Sequence, residues 1–169
     1  MNESQCYCSA MNWEQLCDDP ALENLPYRVE LTRHSQLVMS PHRSYHSILQ
    51  SRIIRHLSHL LPKGEAMPEC PIGVDGGTVV ADVAWASSEK VERNFDLPAW
   101  QESPEIVVEV LSPSNAVAEI RQKREAVFLR GAKEFWVCDQ KGQMQFFTPE
   151  GQVASSRICP AFPAQLPLR

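Results

Sequence analysis

The chain has 169 residues, 43% of them hydrophobic and 22% charged, with a formal net charge of −5. That length and balance fit a soluble globular protein with one core. The negative charge is not the footprint of a bulk nucleic-acid binder, which carries a basic stripe, but it leaves room for an enzyme with an acidic site and local basic groups. No stretch approaches the roughly 18 consecutive apolar residues of a membrane helix. Met1–Cys8 has neither the basic nor the apolar region of a secretory signal. A cytoplasmic protein without a membrane partner is the expectation. The cysteines are scattered, and the one close pair, Cys6 and Cys8, faces no second pair at zinc-site spacing. Reduced, non-ligand thiols follow.

Residues 1–10 read as a flexible leader and residues 11–169 as a single domain. Asn12 is placed to cap a short helix through Trp13, Leu16 and Cys17 that ends near Pro20. Tyr27–Leu31 and Gln36–Met39 read as two short strands about a turn at Thr32–Ser35, an N-terminal hairpin. Residues 44–61 make the first clear helix. Leu49, Ile53, Leu57 and Leu60 follow the helical repeat, Ser44 is a candidate cap, and Pro62 ends the run. His46 lies near that stripe, where a core histidine bonded to backbone is the commoner structural reading.

Pro71–Val74 and Thr78–Trp85 flank Asp75-Gly76-Gly77, a strong hairpin turn. The glycine pair lacks the Lys-Ser/Thr that follows in a phosphate loop. Asp82 interrupts the small apolar residues of the second strand, an environment to which aspartate is poorly suited. Residues 86–103 read as a long polar surface loop with at most a helical turn. Glu105–Ser112 then forms a strand of β-branched and aliphatic residues, opened by Pro104 and closed by Pro113. Glu109 sits inside it. Ile106, Val108 and Val110 share one face and Val107 and Leu111 the other, so the carboxylate leaves water whichever face packs. A buried charge must be paired, protonated or bound to metal.

Ser114 or Asn115 is placed to cap a helix over 116–130, with Val117, Ile120, Val127 and Phe128 on its apolar side, Lys123 at the margin and Gly131 as its C′ residue. Glu134–Asp139 and Gln143–Phe147 form a hairpin about Lys141-Gly142, and the proline-bearing end of the chain suits an irregular edge segment.

The order of elements is that of an α/β arrangement with a mixed sheet. Its two central strands each bury one acid, Asp82 and Glu109. If these strands are neighbours, under about 5 Å apart, the two carboxylates can share one cation. Oxygen-only ligation favours Mg²⁺ or Mn²⁺. Two acids, a metal and a helix lysine are a phosphodiester-cleaving set.

The residues that carry this constellation also carry a resemblance. Tyr27-Arg28-Val29-Glu30-Leu31, Val38-Met39-Ser40-Pro41, His46, Ala81-Asp82-Val83-Ala84-Trp85, Val108-Glu109-Val110-Leu111-Ser112-Pro113-Ser114, Lys123, Gly131 and Glu134–Asp139 stand in an order and spacing similar to the Uma-two family of "putative restriction endonucleases", within the PD-(D/E)XK nuclease superfamily. The resemblance spans roughly residues 11–165. It implies a restriction-endonuclease-like fold, α/β (α+β), with a central mixed sheet flanked by helices and an N-terminal β-hairpin extension. It implies a divalent metal, Mg²⁺ or Mn²⁺, on Asp82 and Glu109. It implies that Lys123 takes the role of the catalytic lysine, and that Glu30 and then His46 would complete the site. It also implies a DNA substrate, endonuclease chemistry and the dimeric assembly common among related nucleases.

Three departures stand out. Leu111 occupies the position of the superfamily's Glu-x-Lys lysine, Ala81 that of the proline before the aspartate, and Val127 that of an aromatic. The alternatives are a nuclease fold that has lost activity and binds DNA or protein, or an interaction protein whose acids are salt bridges to Arg121 and Arg124.

Overall fold

The two segments whose acids break an apolar strand pattern lie side by side in the middle of one sheet. The structure, a computed structural model, describes residues 12–20, 22, 28–31, 36–40, 44–112 and 116–168. The expected leader and the turn at Thr32–Ser35 lie outside the described residues.

Strands β1 (Arg28–Leu31), β2 (Leu37–Ser40), β3 (Gly64–Val74), β4 (Gly77–Ser87), β5 (Ile106–Val110), β6 (Glu134–Cys138), β7 (Met144–Thr148) and β8 (Gly151–Val153) form an eight-stranded sheet. Its order is β2-β1-β4-β5-β6-β7-β8, with β3 paired to β4 off this path. β5 and β6 run parallel and the other pairs antiparallel, so the sheet is mixed. The β1–β2 hairpin is the N-terminal extension.

Helices α1 (Trp13–Cys17), α2 (Ser44–Leu60), α3 (Ser88–Asn94) and α4 (Val117–Leu129) accompany the sheet. Leu49, Ile53 and Leu57 of α2 pack in one core cluster with Val83, Ile106, Val108 and Trp136. Val127 of α4 packs in a second with Ala84, Val107, Phe135 and Val137. The alternation of β5 therefore feeds two cores at once, and all five of its residues are buried. No helix among the described residues is long and apolar enough to cross a membrane.

The short first helix is capped as expected: the Asn12 side chain accepts from the Gln15 backbone N–H at 2.8 Å, and Gln15 returns the bond. Several other elements differ in part from expectation. Residues 86–103 are not one loop, because β4 continues to Ser87 and α3 follows directly. α3 has almost no apolar stripe. It is held through polar groups, with Lys90 Nζ donating to the Ser103 carbonyl at 2.9 Å and Asn94 Oδ1 accepting from the Gln101 N–H. Ser44 is the first residue of α2 rather than its cap. The N-cap of α4 is Ala116, and Val117 points to solvent, 87% exposed. β3 is longer than the sequence suggests; Pro68 and Pro71 sit in a strand that, among the named strands of the described residues, pairs with β4 alone, so a missing N–H is tolerated. The end of the chain is not merely an edge, since Phe162 and Leu166 are buried in the core.

Four cysteines among the described residues are free. Burial pushes the Cys70 and Cys138 thiols up to about 12, which makes them inert apolar fillers at neutral pH.

Candidate active site

β3 occupies one edge of β4 along its length. The other edge is shared. β1 meets it at Leu31↔Thr78, and β5 meets it from Val83↔Val108 to Trp85↔Ile106. Between these contacts, on this edge, the main chain of residues 79–82 has no paired strand among the described residues. Unpaired main-chain groups in a buried sheet need partners, and here side chains supply them.

Continuing the β4–β5 register places Asp82 across from Glu109. Each acid bonds the other's strand. Glu109 Oε1 accepts from the Asp82 N–H at 3.4 Å, and Asp82 Oδ2 accepts from the Val110 N–H at 2.7 Å. Both carboxylates are buried, Asp82 at 1% and Glu109 at 4% exposure. Lys123 reaches in from α4. Its ammonium lies 2.9 Å from Glu109 Oε1 and 2.8 Å from Glu30 Oε1, and donates to the Val80 carbonyl at 2.8 Å. Glu30 on β1 closes the ring by accepting from the Val80 N–H at 3.2 Å. His46 enters from α2 with Nε2 3.2 Å from Asp82 Oδ2. The contact is with a carboxylate, not with a backbone group.

The structure thus brings together Asp82, Glu109, Lys123, Glu30 and His46, drawn from five elements. Arg121 and Arg124, the alternative partners for the acids, are engaged elsewhere. Arg121 pairs with Glu125 at the surface, and Arg124 lies 4.4 Å from the centre of the Phe147 ring.

Of two residues that the sequence reading passes over, one touches this cluster and the other holds the chain beside it. Gln50, one helical turn beyond His46, donates from Nε2 to the Asp82 carbonyl at 2.9 Å. Tyr45 donates its hydroxyl to the Leu111 carbonyl at 3.2 Å, fixing the chain just past β5. The only available signal was the i,i+4 spacing of Gln50 from His46. A shallow cavity of about 460 Å³ lined by Lys90, Gln101, Glu102, Arg130 and Lys133 among others contains none of these residues. The cluster of acids and lysine lies in the seam of the sheet instead.

Among the described residues no three His, Cys, Asp or Glu side chains converge as a ready-made metal cage. A hard divalent cation does not require one. Mg²⁺ is commonly held by one or two carboxylates, with water and substrate phosphate completing an all-oxygen shell. The adjoining carboxylates of Asp82 and Glu109 fit that pattern, and the absence of sulfur in the set disfavours zinc.

The mixed sheet with helices on both faces and an acid pair in its seam defines a restriction-endonuclease-like fold. A crystal structure described as "a putative nuclease belonging to DUF820" from Anabaena variabilis has the same architecture, with a TM-score of 0.73, 14% identity, and coverage of 94% of this chain and 95% of that one. At that identity the likeness concerns the fold alone. The Uma2 family, described as "Putative restriction endonuclease", matches residues 13–168, and the chain belongs to it. No curated protein matches the sequence. Family and fold are those of restriction-endonuclease-like nucleases.

Proposed function

We propose that this protein is a divalent-metal-dependent endonuclease that hydrolyses DNA phosphodiester bonds, with Asp82 and Glu109 holding Mg²⁺ or Mn²⁺. The observation that carries the reading is the reciprocal bonding of the two acids across the β4–β5 seam, with the Lys123 ammonium beside them. The metal, when bound, supplies polarisation of the phosphate and activation of a water. This chain's residues do the rest. His46 and the Val110 N–H hold Asp82 Oδ2 in one direction. Glu30 holds Lys123 within the seam.

An ammonium has three N–H donors, and those of Lys123 face Glu30, Glu109 and the Val80 carbonyl. A phosphate oxygen approaching Lys123 therefore replaces one of these acceptors. In that position the lysine stabilises charge developing on the phosphate.

The test is cleavage of supercoiled plasmid and of duplex and single-stranded oligonucleotides in Mg²⁺ or Mn²⁺. Wild type is expected to cut, and Asp82→Ala, Glu109→Ala and Lys123→Ala to lose about 100-fold or more in rate. Cleavage that survives Asp82→Ala would sink the assignment. DNA binding by wild type with no cleavage in either metal would make the protein a nuclease-fold binding module instead.

A further inference from the structure

Glu69 is the one non-glycine residue with positive φ among the described residues, at 49°. It sits in β3 between the partners Pro68↔Val83 and Cys70↔Ala81, which places it across the ladder from Asp82. A glutamate gains nothing intrinsic from a left-handed backbone, and such conformations persist where the surroundings impose them, often at functional sites.

The side chain shows what this conformation accompanies. Glu69 Oε1 accepts from Gln50 Nε2 at 2.6 Å, and the same nitrogen donates to the Asp82 carbonyl at 2.9 Å. Both partners of that nitrogen are acceptors. The amide can face them only with its NH₂ group, since the reverse orientation would set oxygen against oxygen. Gln50 and His46 are one turn apart on the same side of α2. His46 meets the Asp82 carboxylate and Gln50 meets its carbonyl, so one helix grips this residue at both ends.

We propose that Gln50 and Glu69 are positioning residues. Glu69 orients the Gln50 amide, which fixes the main chain at Asp82 and with it the direction of the carboxylate. The inference rests on the reading of Asp82 as a metal-holding residue. Neither side chain need touch substrate or metal.

Calorimetric titration of Mn²⁺ into the full chain, alongside thermal unfolding without metal, tests this. Gln50→Leu and Glu69→Gly are expected to weaken Mn²⁺ binding roughly 10-fold or more, the usual scale for outer partners of metal ligands. Glu69→Gln, which keeps the acceptor oxygen, should remain within a few-fold of wild type. Glycine accepts the left-handed backbone without strain, so Glu69→Gly should hold or raise the unfolding midpoint while losing affinity. A purely structural role cannot produce that opposition.

If Gln50→Leu and Glu69→Gly both bind Mn²⁺ as wild type does while Asp82→Ala does not, the positioning role is wrong and the metal site stands. If Asp82→Ala binds as wild type, or wild type binds no Mn²⁺, the metal site falls and the positioning role with it.

Discussion

Lys123 is the residue on which most of the local electrostatics turns. Its ammonium is opposed by two carboxylates in a setting where its own side chain is 10% exposed and that of Glu109 is 6% exposed. Removing one member of such a cluster strands the remaining charge. Lys123→Met is expected to lower stability by about 3 kcal/mol, read from urea unfolding. Added Mn²⁺ should restore part of that loss, because a cation can serve the orphaned Glu109. A variant as stable as wild type would mean that the ion cluster opens readily to water. Glu134 presents the opposite case, a buried acid with a structural task. At 1% exposure it accepts from the Trp136 indole and the Ser156 hydroxyl at 2.7 Å, and from the Arg157 and Ile158 backbone N–H groups at 2.6 and 2.9 Å. Glu134→Gln turns an NH₂ group toward donors and should cost about 2 kcal/mol. Faster amide exchange at residues 156–158 would accompany the loss, and unchanged exchange there would count against this anchoring role. A buried acid in a strand signals a constraint, but which kind depends on partners remote in sequence.

At the scale of elements, α4 carries Lys123 into the site yet begins on an alanine. Ala116 has extended backbone geometry, and its N–H donates to Glu119 Oε2 at 3.3 Å, so only half of a capping box is present. Ala116→Asp supplies the missing acceptor and should raise the stability of the whole protein by about 1 kcal/mol. An unchanged unfolding midpoint would show that the start of α4 frays independently. Periodicity made α2, β4, β5 and the β6–β7 hairpin legible in the sequence, because each buries an apolar face that repeats at its own period. It missed α3, whose buried residues include Lys90 and Asn94 and are satisfied by hydrogen bonds rather than by an apolar stripe. It placed Val117 on the apolar side of α4, where the structure exposes it. The acids and lysine of the candidate site were legible as residues out of keeping with their strands or as marks of a family. The contact between Lys123 and Glu30, 93 positions apart, was not, since no local pattern encodes it.

For the molecule as a whole, the proposed cation site and the fold draw on the same groups. The sheet cannot present Asp82 beside Glu109 unless β4 and β5 are paired, so a metal held there binds the folded chain in preference to the unfolded one. Mn²⁺ at about 100 times its Kd should stabilise the fold by about 2.7 kcal/mol, raising the unfolding midpoint, and Asp82→Ala should abolish the rise. A rise of equal size in Asp82→Ala would locate the cation elsewhere. If DNA is the substrate, as proposed, the net charge of −5 adds a condition, since long-range repulsion would have to be overcome by local contacts and by the divalent ion. Cleavage is therefore expected to depend on local basic groups more than on the overall field.

The seam in the sheet also governs how such a protein can lose its chemistry and remain folded. Glu30, Glu109, Asp82 and Lys123 serve the main chain as a substitute strand would, meeting N–H and C=O groups of Val80, Asp82 and Val110. On the proposed function, an aliphatic replacement at any of them would silence the site, and it would also leave a hole in the backbone hydrogen bonding. Asp82→Asn, which can still accept from Val110, should therefore fold more stably than Asp82→Leu even if both are inactive. In this architecture a lost activity would leave its outline behind in the hydrogen bonds that the sheet still requires.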